Sequence, residues 1–179
     1  DGNIIPGATA QTLQTTQGGT YSVVVGSGNC AGNGSMILDV VALPTPSLND
    51  QTICDYDVIS TLDAGAFTGA TYQWSQDGTP VSGATAQTYL PTSAGTYNVD
   101  VTIAPGCTGS SQMVLTINAA PTPSVNDEDI CTDQQATLDA NFGGATYQWS
   151  NGGTSQTISV NTAGTYTVTV TQNNCVAID

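Results

Sequence analysis

The chain spells GATYQWS twice, at Gly69–Ser75 and again at Gly144–Ser150. Seven identical residues, with a tyrosine and a tryptophan among them, have two readings. The aromatics either form a repeated binding surface or fill the same interior position in two copies of one domain. In an extended strand, Tyr72 and Trp74 share one face and Gln73 takes the other. The stretches around the heptapeptide decide between the readings.

Composition removes several function classes first. The 179 residues contain no Lys, Arg or His, and thirteen Asp and one Glu give a formal net charge of −14. Charged residues make up 8% of the chain, against about 25% in an average domain. Without a cation the chain cannot neutralise a phosphate backbone, so nucleic acid is excluded as a partner. Anionic membrane surfaces repel it, and no apolar run reaches the roughly 18 residues of a membrane span. It has no histidine to serve as base or zinc ligand, no lysine for Schiff-base or isopeptide chemistry, and no site for trypsin-like cleavage. Salt bridges between side chains are impossible, so stability must come from burial, backbone pairing and disulfides.

The chain is built from repeats. PTPS occurs at Pro44–Ser47 and Pro121–Ser124, and Ile-Cys at Ile53–Cys54 and Ile130–Cys131, each pair 77 residues apart. GTY recurs at Gly19, Gly95 and Gly164, and the opening DGNIIPGATAQTL aligns without gaps to DGTPVSGATAQTY from Asp77. The unit is therefore about 77 residues. Residues 1–46 read as the C-terminal half of one copy, 47–121 as a complete copy, and 122–179 as a copy lacking its last strand. The expectation is a window on a longer tandem array.

Within each copy, STLDA or ATLDA, TYQWS, TISV, GTYNVDVTI or GTYTVTVT, and MVLTI alternate with period two and are rich in Val, Ile, Thr and Tyr. Gly, Pro, Asn and Asp separate them, and no long segment has helical periodicity. The fold class is all-β: tandem immunoglobulin-like β-sandwich repeats. The order of core residue, Trp, then Gly-x-Tyr resembles the immunoglobulin sandwich, in which a Trp on the third strand fills the core and a Tyr near the sixth makes a corner hydrogen bond. That resemblance assigns Trp74 and Trp149 to the structural core, together with Tyr21, Tyr97 and Tyr166 as its corner tyrosines. The usual core-disulfide positions hold Ala64 and Val99, and Ala140 and Val168, so the cysteines here serve another arrangement.

ICTDQQATLDANFGGATYQWSNGGTSQTISVNTAGTYTVTVTQNNC and its partner in the second copy resemble the tandem Ig-like repeats of very large secreted proteins of Bacteroidota, including gliding and adhesion proteins exported by the type IX route. The resemblance covers nearly the whole chain. It implies an extracellular, cell-surface location and a structural or adhesive stalk or filament, with neighbouring repeats as partners and loops left to meet surface polysaccharide or other cells. It brings no catalytic residue with it. The rival function is a carbohydrate-binding accessory module of a secreted polysaccharide-degrading enzyme.

Only carboxylates could carry catalysis. Asp63 and Asp139 follow the core Leu on a strand and point to solvent, and nothing suggests the facing pair in a cleft that glycoside hydrolysis requires; the chain reads as no enzyme. Acidic residues gather beside the Pro-Thr-Pro junctions: Asp50, Asp55 and Asp57, then Asp127, Glu128, Asp129 and Asp133. Calcium takes six to eight oxygens, and these are the candidate ligands, although no Asp-x-Asp-x-Asp-Gly loop is present. The simpler reading is that they keep a long surface polymer soluble. No other cofactor is implied.

Five cysteines in an extracellular chain point to disulfides. Pairing within copies gives Cys54–Cys107 and Cys131–Cys175. In an Ig-like fold, however, Cys54 and Cys107 fall at opposite ends of the domain, separated by roughly 20 Å of strand, while a bridge needs Cα atoms within about 7 Å. In a head-to-tail array the end of one domain faces the start of the next. The resemblance therefore favours Cys54–Cys175 across the boundary; the within-copy pairs require a strand order that departs from Ig.

Overall fold

The computed structural model describes residues 3–179; Asp1 and Gly2, which open the first expected half-repeat, lie outside them. The chain order is β1 (Gly19–Ser27), β2 (Cys30–Leu38), β3 (Gln51–Cys54), β4 (Leu62–Asp63), β5 (Thr71–Gln76), β6 (Thr79–Pro80), β7 (Thr88–Tyr89), β8 (Gly95–Ile103), β9 (Cys107–Asn118), β10 (Ala136–Asp139), β11 (Thr146–Trp149), β12 (Thr157–Val160), β13 (Val168–Gln172) and β14 (Cys175–Ile178). Among the described residues there is no helix.

The middle copy is an Ig-like sandwich. One sheet has the order β3-β9-β8-β5-β6 and the other pairs β4 with β7. β3 runs parallel to β9, and the other ladders are antiparallel. Alternation along β8 buries Tyr97, Val99 and Val101, while β9 buries Met113 and Leu115. With Trp74 of β5 in the same sheet, these residues close on Leu62 of β4 and the adjoining Ala64. The third copy repeats the plan with β11-β13-β14 against β10-β12, around Trp149, Leu138, Val168 and Val170.

Both tryptophans lie in the interior, at 0% and 1% exposure. A buried indole N–H needs an acceptor. Trp74 Nε1 donates to the Ala86 carbonyl at 2.9 Å, and Trp149 Nε1 to the Ser155 carbonyl at 2.9 Å. Trp74 also stacks on Tyr89, with ring centroids 5.7 Å apart. The repeated heptapeptide is thus a repeated core element. The three corner tyrosines make one bond in common, each hydroxyl donating to the carbonyl four residues earlier: Tyr21 to Gln17 (2.8 Å), Tyr97 to Ser93 (2.8 Å) and Tyr166 to Thr162 (2.9 Å).

The Pro-Thr-Pro segments are pinned to the domains, since Pro44 and Pro121 are buried. A Cβ on Gly109 would collide with the Pro44 carbonyl, so the chain enters the middle copy across a position where only glycine fits.

Three expectations are corrected. Of the corner tyrosines only Tyr97 is a core residue; Tyr21 and Tyr166 are half-buried. Tyr21 belongs to the β1–β2 hairpin, a two-stranded sheet on which Val23, Val25 and Met36 stay exposed; both core clusters draw on residues from Leu48 onward. The last strand of the third copy is present as its first four residues, β14. Finally, GTYTVTVT forms a strand only from Val168. In the middle copy Gly95–Asn98 pair with Gln112–Leu115 of β9, and among the described residues no strand pairs with Gly164–Thr167 in that register.

Trp74→Ala removes the centre of the middle core. It is expected to cost roughly 3–5 kcal/mol, a large part of an ordinary domain's 5–15 kcal/mol. Chemical denaturation should show the third copy's transition largely retained by Trp149 fluorescence and, by circular dichroism, the middle copy's moved to much lower denaturant. Coincident, unshifted transitions would refute the assignment of Trp74 to this core.

Candidate functional site: the junction between the second and third copies

The most built-up polar site lies where the two sandwiches meet. Cys54 ends β3, the strand that runs parallel to the end of β9, with Cys54 opposite Asn118. Cys175 opens β14 after a tight turn. Gln172 pairs with Cys175 across Asn173-Asn174, whose φ angles are 50° and 66°. Two central residues with positive φ make a type I′ hairpin, and Asn tolerates that conformation better than most residues. This turn carries Cys175 out of the third copy toward the second.

The sulfurs of Cys54 and Cys175 are bonded at 2.03 Å, with Cα atoms 5.6 Å apart and a sequence separation of 121. Both cysteines are buried. Polar contacts surround the bond. Asn118 Nδ2 donates to the Asn173 carbonyl at 3.0 Å, and the Val176 N–H donates to Tyr56 Oη at 3.2 Å. A cysteine sulfur lies 3.7 Å from the Asn118 carbonyl. The two copies are therefore joined by two covalent routes, the main chain through Pro121 and the disulfide, with side-chain hydrogen bonds between them. The sequence reading did not single out Tyr56, Asn118 or Asn173; the Asn-Asn pair before a cysteine was the available signal.

The remaining cysteines are unbonded: Cys30 and Cys131 exposed, Cys107 half-buried. The within-copy pairs Cys54–Cys107 and Cys131–Cys175 are not formed. Cys30 and Cys107 open β2 and β9 as Cys175 opens β14. Cys131 repeats the local setting of Cys54: Asp57 Oδ2 accepts from the Cys54 N–H at 2.8 Å, and Gln134 Oε1 accepts from the Cys131 N–H at 3.1 Å.

The acidic candidates divide into two groups. Asp50, Asp55 and Asp57 each accept a backbone N–H, from Val114, Ala120 and Cys54. Asp127, Glu128, Asp129 and Asp133 lie along an open groove of the third copy. Among the described residues, no three His, Cys, Asp or Glu side chains converge as a metal site. Asp63 and Asp139, weighed as catalytic carboxylates, close the same turn in each copy. The Gln87 amide (2.8 Å) and then the Gly65 N–H (2.8 Å) hold the Asp63 carboxyl below its ordinary range. For Asp139 the Asn141 N–H (2.8 Å) leads and the Gln156 amide (2.9 Å) follows. A shallow cavity of about 440 Å³ on the outer sheet face is lined by Gln73, Ser75, Asn98, Asp100 and Gln112, among others, with no aromatic ring on which a sugar could stack.

No protein-family model matches the chain, and no curated protein matches it. Among solved structures, immunoglobulin domains 1–4 of Sidekick-1 are similar at TM-score 0.46 and 13% identity, over 93% of this chain and 58% of that one. The N-terminal eight Ig domains of Down syndrome cell adhesion molecule give 0.36 and 13%, over 78% of this chain and 26% of that one. A Bacteroides ovatus mixed-linkage glucan utilisation protein, SGBP-B, solved with a heptasaccharide, gives 0.33 and 13%, over 75% and 43%. This chain thus spans under two thirds of the length of each.

Depressed carboxyl pKa values have a defined sign in stability. A group whose pKa is lower folded than unfolded stabilises above its unfolded value, and that contribution is lost as pH falls through the folded one. The Asp63 and Asp139 turns should therefore weaken only below about pH 4, the ordinary carboxyl range. The acid-induced fall in melting temperature should be smaller in Asp63→Asn, which starts below the parent chain at neutral pH and converges with it in acid. Equal acid sensitivity would remove Asp63 from this role.

Proposed function

We propose that the chain is a tension-bearing segment of an extracellular tandem Ig-like array, the structural or adhesive stalk of a large cell-surface protein. The observation that supports this most is the Cys54–Cys175 bond across the domain boundary. Tension along the main chain reaches Cys54 and crosses directly to Cys175, so residues 55–174, most of both sandwiches, lie off the force path. Such a bond persists in an oxidising compartment, which agrees with a location outside the cell. The matching settings of Cys131 with Cys54, and of Cys30 and Cys107 with Cys175, suit a staple repeated from copy to copy. By its resemblance to gliding and adhesion repeats, the parent protein is of the Bacteroidota type exported by the type IX route. Neighbouring repeats are its principal partners; contacts with polysaccharide or other cells belong to loops.

The accessory-module reading has less support. Both tryptophans are in the core, and the polar concavity on the middle sheet offers amides and hydroxyls without a stacking ring.

Single-molecule pulling from the chain termini tests the proposal. The oxidised chain should release only the segments outside Cys54–Cys175. Reductant should add about 400 Å of contour, from the separation of 121 residues at about 3.4 Å each. Full extension without reductant would overturn the proposal.

A further inference from the structure

The repeated heptapeptide has a second side. Tyr72 and Trp74 pack into the middle core, which leaves Gln73 and Ser75 on the outer face of the sheet. Cross-strand register sets them in two rungs: Gln73, Asp100 and Ser110, then Ser75, Asn98 and Gln112. Neighbouring strands lie about 4.8 Å apart and alternate residues about 7 Å apart along a strand, so these polar side chains share one small patch. Five of them line the cavity of about 440 Å³, whose rim includes Gly78 in the β5–β6 turn. Small-molecule sites have roughly 300–1,000 Å³. Every residue of the patch lies between the start of β5 and the end of β9.

Several of its polar atoms are held in place and remain able to accept. Gln73 Nε2 donates to the Trp74 carbonyl at 2.8 Å and the Val81 carbonyl at 3.1 Å, which fixes the amide and leaves its oxygen open. Asn98 Nδ2 donates to Asp100 Oδ1 at 3.1 Å, leaving Asp100 Oδ2 and the Asn98 side-chain oxygen open.

Charge selects the partner. Asp100 is the only carboxylate in β5, β6, β8 and β9, on a chain of net charge −14. Asp77, in the turn, is engaged by the Thr96 N–H at 2.8 Å. The molecule as a whole repels a polyanion, and equally a second copy of itself; a single carboxylate gives a polycation little to hold. Pro80 is the one apolar side chain of the lining, so the partner that fits is neutral and rich in donors and acceptors.

We infer that this concave face binds a neutral polysaccharide edge-on through its hydroxyl groups. The open oxygens of Gln73, Asn98 and Asp100 accept, and the Gln112 amide donates. The bond to the carboxylate is the strongest of these. Gln148 pairs with Thr169 as Gln73 pairs with Asp100, so the third copy lacks that acceptor and the site belongs to the middle copy. The inference rests on the extracellular reading for the ligand's presence, and it gives the β5–β6 turn and the adjoining sheet a contact of the kind that reading leaves to loops. With no stacking ring the affinity is low, so the test uses polymers at high concentration.

The test is native affinity electrophoresis of the full chain in gels cast with dextran, galactomannan or xyloglucan, with dextran sulfate as the anionic counterpart. Each retardation is taken relative to a gel without polymer. At least one neutral polymer should retard the chain, and dextran sulfate should not. The double variant Asp100→Ala, Gln112→Ala should keep the parent's tryptophan emission and bind about tenfold or more weakly. Thr169→Ala, in the third copy, should bind like the parent. The inference is overturned by no retardation in any of the three neutral polymers, by equal retardation in dextran sulfate, or by undiminished binding of the double variant. It is also overturned if light scattering shows a mass that doubles with concentration in the parent and not in the double variant, which would give the face to a second copy. Binding in a gel needs no tension, so none of these results decides the stalk reading, which the pulling experiment tests.

Discussion

A chain without a single side-chain cation cannot pair its carboxylates, and much of the architecture follows from that constraint. Here the partners of the carboxylates are amides. Asp57 and Asp55 hold backbone N–H groups at the junction, Asp50 fastens the entering segment to β9, and Asp63 and Asp139 close the same turn in successive copies. A carboxylate accepting N–H bonds is stabilised in its charged form, so the acids act locally as structural acceptors while adding to a repulsion of fourteen like charges. Ion pairs cannot hold one domain against the next. A covalent bond can, and it is formed where β3 of one sandwich meets the hairpin turn of its neighbour.

The junction also changes what the repeat unit means mechanically. Two domains joined only by a short peptide can pivot about it. Adding Cys54–Cys175, with Asn118 bonded to Asn173 and Tyr56 to Val176, fixes the interface at several points. In the proposed tension-bearing role, force would cross from Cys54 to Cys175 and leave β4–β13 outside its path.

Local, repeated features were legible in the sequence. The core tryptophans, the three corner hydrogen bonds and the all-β class were readable from Trp, Gly-x-Tyr and strand periodicity, and the resemblance to the Ig sandwich implied facing positions for Cys54 and Cys175. What the sequence hid depends on non-local pairing. GTYTVTVT reads as one strand, but Gly164–Thr167 need a partner in the register of Gln112–Leu115 to be one. Tyr21 and Tyr97 share a motif and a corner bond, yet only Tyr97 has a second sheet to cover it. At the junction Tyr56, Asn118 and Asn173 act through contacts between residues 55 and 120 positions apart, which periodicity does not register.

Disulfide mapping without reductant addresses the central claim most directly. The absence of Lys and Arg calls for a protease that cuts beside aromatic and leucine residues, which can isolate Cys54 before Tyr56 and Cys175 after Tyr166. Mass spectrometry of the digest should find one linked peptide joining Cys54 to Cys175. A peptide joining Cys54 to Cys107 would contradict the account, since it would return the bond to the interior of one copy and leave the two domains tied by main chain alone.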